Sequence, residues 1–405
     1  MKGVVKSIKH FKIISLIIIL FLLAACDNGS NFCNHDWDWA VIMFPTKTTD
    51  GEKIETCKRC GETRGYRLLF AAGNGTADDP FLITNEVSLR RIGTGMNGWE
   101  LSSYYKLTMN INLTDTWTPI YQFTGDFNGN NKTISGLTGN GGMFGSIELN
   151  GRVRNLILVD VYIVGRFAGI GGVANFNNGI IINCSVSGTI NGGFVGGIVG
   201  FNFGMVSNST ATGMVTGSGS VGGIAGWNST HDGMGQWRNS IATVQNSYFS
   251  GNVGGSGSLV SVGGVVGFNQ QGTVQNSFSV GNVSGTGTLG TLCPFGGIVG
   301  RHDSGTIRNN VALNHSIIVS DGVSGRVVGW GLEGLANNYA WTNMSVSHFF
   351  SPNINGVDGA CVSTMDAIDK FWWMNDSNLG WAWGNCESFP WIWDDNAKQP
   401  RLWFE

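Results

Sequence analysis

The sequence predicts an all-β protein, a right-handed parallel β-helix with a cap at each end, and three observations carry that expectation. A Gly-Gly-aliphatic signature recurs at Gly171-Gly172-Val173, Gly196-Gly197-Ile198, Gly222-Gly223-Ile224, Gly263-Gly264-Val265 and Gly296-Gly297-Ile298, with a worn copy at Gly325-Arg326-Val327 and a precursor at Gly141-Gly142-Met143. The copies starting at 171, 196, 222, 263, 296 and 325 lie 25, 26, 41, 33 and 29 residues apart, and each is followed by an Asn at a similar offset. Glycine makes up 63 of 405 residues with only 7 Pro and 42% hydrophobic residues, which excludes both collagen and disorder. Self-similarity at such a period marks a solenoid, because one repeat cannot bury its apolar face until a neighbour stacks on it. Spacings in the twenties suit a coil of three short strands with tight corners.

The chain opens with Lys2, Lys6, Lys9 and Lys12, then an apolar run from Ile13 to Ala25, then Leu23-Ala24-Ala25-Cys26. This matches a bacterial lipoprotein signal, in which the Cys26 thiol accepts a diacylglyceryl group and residues 1–25 are removed. The run is too short for a permanent span, so the expected anchor is a covalent lipid on Cys26, with 26–32 as a tether. Charged residues are 13% of the chain and the net charge is −3. Beyond the first dozen residues there is no basic footprint, so nucleic acid is not an expected partner.

Residues 33–66 form a small Cys/His module. Cys33-Asn34-His35 precedes Cys57-Lys58-Arg59-Cys60-Gly61, and three thiolates with one imidazole make a tetrahedral set for a structural zinc. A segment this short has too little core to fold without a staple. Disulfides among Cys33, Cys57 and Cys60 are the alternative in an oxidising compartment, and a Cys57/Cys60 redox pair is a third reading. Residues 67–140 carry the N-terminal cap and first coils. Thr84 or Asn85 can cap a short helix through Val87, Leu89 and Ile92, and that helix is the natural lid on the first coil. Asp126, Asn128 and Asn130 alternate like part of a calcium loop, but the bidentate Glu is missing, and turn chemistry is the better reading.

The Gly73-Asn74-Gly75-Thr76 opening leading to Asp79-Pro80-Phe81-Leu82-Ile83, the Phe123-to-Asn130 segment and the serial Gly-Gly-Ile-x-Gly copies resemble the GLUG-repeat family of bacterial surface proteins, from about Gly73 to Ala340. The resemblance implies an exported or surface-attached parallel β-helix with no catalytic activity defined for the repeat. It brings no active-site residue with it.

Within residues 141–340 the asparagines Asn155, Asn183, Asn208, Asn246, Asn276, Asn309 and Asn337 carry the sharpest inference. Apolar positions change parity across each of them, so the chain should bend there, and Asn tolerates a left-handed corner. Stacked coil on coil, their amides should form a structural ladder. Acids in this stretch are only Glu148, Asp160, Asp232, Asp303, Asp321 and Glu333, and Lys is absent. The pairs His231-Asp232 and His302-Asp303 read as a solvated insertion and a solvated turn, so no catalytic residue is assigned.

Residues 341–405 lose the repeat and hold eight of the 15 Trp. They read as an aromatic C-terminal cap, with a short helix over Met365–Phe371 started by Ser363 or Thr364 and strands at Trp391-Ile392-Trp393 and Arg401-Leu402-Trp403-Phe404. Exposed Trp could alternatively stack on sugar rings. Cys361 and Cys386 are the disulfide candidates, and Cys184 and Cys293 read as buried or free thiols. The expected protein is a non-enzymatic, lipid-anchored binding or adhesion scaffold of the bacterial cell envelope, at the outer membrane or cell surface, with the periplasmic face as the alternative. Its expected partners are the membrane through the lipid, and a glycan, a host-matrix or other extracellular protein, or another envelope component. A carbohydrate-active β-helix enzyme and a purely structural envelope protein are the competing readings.

Overall fold

The computed structural model describes residues 33–43, 51–69, 73–165, 169–231, 242–347 and 351–405. The expected signal segment, Cys26 and most of the insertion after His231 lie outside the described residues. The chain divides into two compact units, the Cys/His module ending at Leu69 and a second unit that holds everything from Phe70 onward.

The module is a three-stranded antiparallel sheet of β1 (Trp37–Met43), β2 (Gly51–Cys57) and β3 (Thr63–Leu69) in the order β1-β2-β3. Its surface is held by aromatic and charged contacts. The Arg64 guanidinium lies 4.0 Å over the Trp37 ring, and Lys58 pairs with Asp38 at 2.9 Å.

The second unit is a parallel β-helix. One inward column follows from strand register alone: Phe81 pairs with Tyr105, Tyr105 with Phe127, Phe127 with Val153, and the series continues through Ile181, Val206, Val244, Val274 and Ile307 to Leu335. All of these are buried, and each fully buried apolar side chain contributes about 1.5–3 kcal/mol. The column starts at Phe81, so coiling is already established well before the first Gly-Gly copy.

From Gly169 onward the coils have four short runs rather than three. The additional run is a separate six-stranded sheet made by Gly169–Gly171, Phe194–Gly196, Ser220–Gly222, Ser261–Gly263, Pro294–Gly296 and Val323–Gly325. The Gly-Gly pair ends that run, and sterics explain both glycines. A Cβ on Gly263 would sit 2.0 Å from the Val266 carbonyl oxygen, and one on Gly264 would sit 2.0 Å from the Gly297 carbonyl oxygen of the next coil. These glycines make tight corners between closely stacked backbones. The aliphatics that follow, Val173, Ile198, Ile224, Val265, Ile298 and Val327, all point into the core.

At the N-terminal end, α1 (Glu86–Leu89) is a single turn capped by Asn85, whose Oδ1 accepts from the Ser88 N–H at 2.8 Å. Leu89 and Ile92 enter the core while Val87 is exposed, and Trp99 stacks on Phe81 at 4.7 Å. The lid is therefore as much aromatic as helical.

At the other end, Ala360–Val362 pairs with Tyr339–Trp341 and extends the last coil. The worn copy has its explanation here. Arg326 replaces the second glycine of the pair where no full coil follows, and its buried guanidinium donates to the carbonyls of Trp341 at 3.4 Å and Gly359 at 3.2 Å.

The remainder of the C-terminal segment does not cap the end; it folds back along one flank. It contains α2 (Thr364–Ala367), α3 (Lys370–Trp373) and an antiparallel hairpin of Trp391–Asp394 with Gln399–Leu402. Two one-turn helices replace the single expected one because the Asp369 side chain caps a new start by accepting from the Phe371 N–H. The flank explains the location. Ser185 and Thr210 are followed in register by Tyr248, Phe278 and Val311, which form one apolar cluster with Trp373, Trp381 and Trp391.

Candidate metal centre and the polar ladders

The module's sheet brings Cys33, His35, Cys57 and Cys60 together with all four ligand atoms within 4.8 Å of one another. Cys33 Sγ lies 3.8 Å from Cys57 Sγ, and Cys60 Sγ lies 3.4 Å from His35 Nδ1. The edge of a tetrahedron with Zn–S bonds of ~2.3 Å is about 3.8 Å, so the spacing fits such an ion. Cys57, Cys60 and Gly61 form a tight knuckle in which the Gly61 N–H donates to the Cys57 carbonyl at 2.9 Å, with Gly61 at φ +75°. The other imidazole nitrogen, Nε2, meets the Glu62 carboxylate at 3.2 Å. A carboxylate on the distal nitrogen orients a ligating histidine and fixes its tautomer.

The electrostatics of two of the thiols diverge. Burial opposes ionisation of Cys57, but hydrogen bonds from the Cys60 and Arg59 backbone and from His35 outweigh it and bring the thiol down to about 6. The Cys33 thiol is pushed up to about 12, first by its hydrogen bond with Cys60 and then by burial. Four protein ligands leave no open coordination position, so the set suits a structural ion. All three thiols are free in this arrangement. Cys361 and Cys386 are likewise free and exposed, the first on the strand that extends the last coil and the second on the flank segment; Cys184 and Cys293 are buried free thiols.

Asn155, Asn183, Asn208, Asn246, Asn276, Asn309 and Asn337 all have positive φ, from 48° to 55°. Each amide donates to the one a coil before: Asn183 to Asn155 at 3.0 Å, Asn208 to Asn183 at 3.2 Å, Asn246 to Asn208 at 3.2 Å, Asn276 to Asn246 at 3.3 Å, Asn309 to Asn276 at 3.2 Å and Asn337 to Asn309 at 2.9 Å. Asn155 donates to Asn128 at 3.1 Å, so one residue of the calcium-like stretch starts the ladder. The flank segment closes over this edge. Asn208 and Asn337 donate to the carbonyls of Glu387 and Asn378 at 3.0 and 2.6 Å, and the Trp381 indole donates to the Asn309 carbonyl at 2.9 Å.

A second, fully buried ladder runs through the Asn of the Gly-Phe-Asn and related motifs. Asn177 donates to Asn202 at 2.8 Å, Asn202 to Asn228 at 2.7 Å and Asn228 to Asn269 at 2.7 Å. His302 occupies the next level, with Nδ1 3.1 Å from the Asn269 amide and Nε2 2.8 Å from the Glu333 carbonyl. His302 is therefore a buried strand residue within Val299–Arg308 and not a solvated turn residue. The repeat contained the signal: in Gly296-Gly297-Ile298-Val299-Gly300-Arg301-His302 the imidazole stands where other copies have Asn. Burial holds its pKa below the usual histidine value.

No family model matches this chain. A protein described as a Gly-rich membrane protein, from Evansella cellulosilytica, is 34% identical over 137 residues, covering 29% of this chain and 16% of that protein. Halomucin from Haloquadratum walsbyi is 32% identical over 143 residues, covering 30% of this chain and 2% of that protein. The chain thus spans a small fraction of the length of each.

Proposed function

We propose that this chain is a lipid-anchored, non-enzymatic binding scaffold of the bacterial cell envelope. One observation carries the reading: the most repeated groups, the Gly-Gly pairs and both Asn series, are consumed by corners and ladders, and the open flank they leave carries little charge. On that flank a cavity of about 410 Å3 spans successive coils and is lined by Asn191, Thr216, Ser256, Ser284, Thr286 and intervening glycines. Nothing in that lining can act as a general acid or base at neutral pH, whereas hydroxyl and amide groups repeated along the axis suit an extended polar polymer. The membrane in the name of the first relative and the Cys26 lipobox support an envelope location. Within the module, a zinc ion on Cys33, His35, Cys57 and Cys60 supplies the staple that its small core lacks.

Two carboxylates, Asp303 and Glu333, share another cavity, and this favours the second reading, a carbohydrate-active enzyme. Against it, Asp303 is held by Arg301 at 2.8 Å and Glu333 is exposed, whereas a general acid needs a proton retained by burial.

The test is fractionation of cells carrying the chain with and without Cys26→Ser, followed by protease treatment of intact and lysed cells. The expected result is a membrane-bound wild type, a soluble variant, and loss of the solenoid from intact cells. A variant still bound to the membrane sinks the lipid anchor. Protection in intact cells followed by loss on lysis moves the scaffold to the periplasmic side and ends the adhesion reading.

A further inference from the structure

On the outward side of the strands after each Gly-Gly corner, register places Phe176, Phe201, Trp227, Phe268, Arg301 and Trp330 at successive levels. The rings lie close on one another. Phe176 and Phe201 are 5.1 Å apart at 9°, and Trp227 and Phe268 are 5.4 Å apart at 18°. The Arg301 guanidinium follows, 4.8 Å from the Phe268 centroid and 5.6 Å from that of Trp330. Rings inside such a column are flanked on both sides by neighbours, with Phe201 and Trp227 tilted by 52° at 5.4 Å, so the open place for a ligand to stack is a column end.

One end is Phe176, half-buried over Ser146, and the other is Trp330. Its strand, Val328–Trp330, pairs with Val299–Arg308 on one side and with no described strand on the other. Trp330 is 42% exposed, and it is the one tryptophan so exposed among the described residues. The tryptophans of the C-terminal segment, by contrast, turn inward on the flank. Trp330 lines a cavity of about 450 Å3 with Asp303, Leu332, Glu333 and Val357. Asp303 is fixed in direction by Arg301, which donates from Nε at 2.8 Å and Nη2 at 3.2 Å.

We propose that this cavity is a saccharide subsite. The C–H face of one pyranose ring stacks on the Trp330 indole, and the carboxylates of Asp303 and Glu333 accept hydrogen bonds from its hydroxyls. Two carboxylates against one guanidinium leave the rim net negative, so neutral glycans are favoured over uronate or sulfated ones. The assignment rests on the binding reading above and gives it a ligand class.

The test is affinity electrophoresis of the full chain in detergent through gels containing galactomannan, xyloglucan or β-glucan, with polygalacturonate as the anionic control. The expected result is retardation in a neutral gel, weakened about tenfold by Trp330→Ala, as loss of a stacked ring and its hydrogen-bond geometry implies. Glu333→Gln weakens it less, Trp330→Phe retains part of it, and Phe371→Ala, 80% exposed on α3, changes nothing. Far-UV circular dichroism checks that each variant is folded. Equal retardation of wild type and Trp330→Ala overturns this site while leaving the binding reading intact. Retardation by polygalacturonate alone, or by no gel, overturns the ligand class. New reducing ends in the gel overturn the non-enzymatic reading itself.

Discussion

In residues 33–65 the buried apolar side chain is Cys57, whereas the β-helix lines a continuous column from Phe81 to Leu335 with buried aliphatic and aromatic side chains. The module has three short strands whose faces are largely wet; the solenoid adds a stacked level with every coil. The comparison shows what each architecture must take from outside. A solenoid is stabilised by its own neighbours, level by level, so a local defect is shared with adjacent coils. A sheet of this size has no such reserve, and its strands are joined where Cys33, His35, Cys57 and Cys60 converge.

Chelation gives the sharpest contrast. A structural ion on three thiolates and an imidazole contributes on the order of 10 kcal/mol to folding of a small domain. Treatment with a strong chelator, or Cys60→Ser, is expected to unfold the module and open it to cleavage between Cys33 and Leu69 at low protease doses that leave the β-helix whole, well below those that digest the solenoid on cells. Equal resistance of both units in metal-free protein would break the comparison. Next in size is Gly264→Ala, whose Cβ would press on the Gly297 carbonyl at 2.0 Å and on Ser279 Oγ at 2.3 Å. A loss of about 1–3 kcal/mol is expected in thermal unfolding. Gly254→Ala should be close to neutral, since its nearest neighbour is 3.6 Å away.

Asn246→Ala removes one link from the ladder on each side and puts a β-carbon at φ +48°. About 2 kcal/mol of destabilisation is expected by denaturant unfolding. Asn246→Gly, which relieves only the backbone, should recover part of it. The smallest effect concerns His302. Burial lowers its folded pKa, so the unfolded chain binds the proton more readily. Stability should be complete above the ordinary histidine pKa, decline as pH falls below it, and level off once the folded imidazole also protonates. His302→Asn, which continues the amide ladder, should flatten that part of the pH–stability curve. An unchanged slope would show that His302 is not the group responsible.

Much of this was legible because the repeat compares the chain with itself. The corner asparagines stand where apolar parity switches, and their positive φ is the backbone counterpart of that switch. His302 shows the same logic left unused, since its position in the copy, rather than its neighbour Asp303, decides its environment. Arg326 likewise makes sense only when aligned with the second glycine of the other copies. The C-terminal segment had no copy to be compared with, and its aromatic density fitted an end cap as well as a flank. Tyr248, Phe278 and Val311, which replace the Ser and Thr of earlier coils in the same register, are the signal that it lies along the side.

The sequence by itself determined the solenoid, its corners and the ligand-like Cys/His set, because each depends on short spacings in which backbone geometry and residue type are tightly coupled. Only the tertiary structure decided which tryptophan faces solvent, where the C-terminal segment packs, that Cys361 and Cys386 stay apart, and that Asp303, Trp330 and Glu333 share one cavity. Those relations depend on stacking between coils and on side chains distant in sequence, and local spacing carries no information about such contacts.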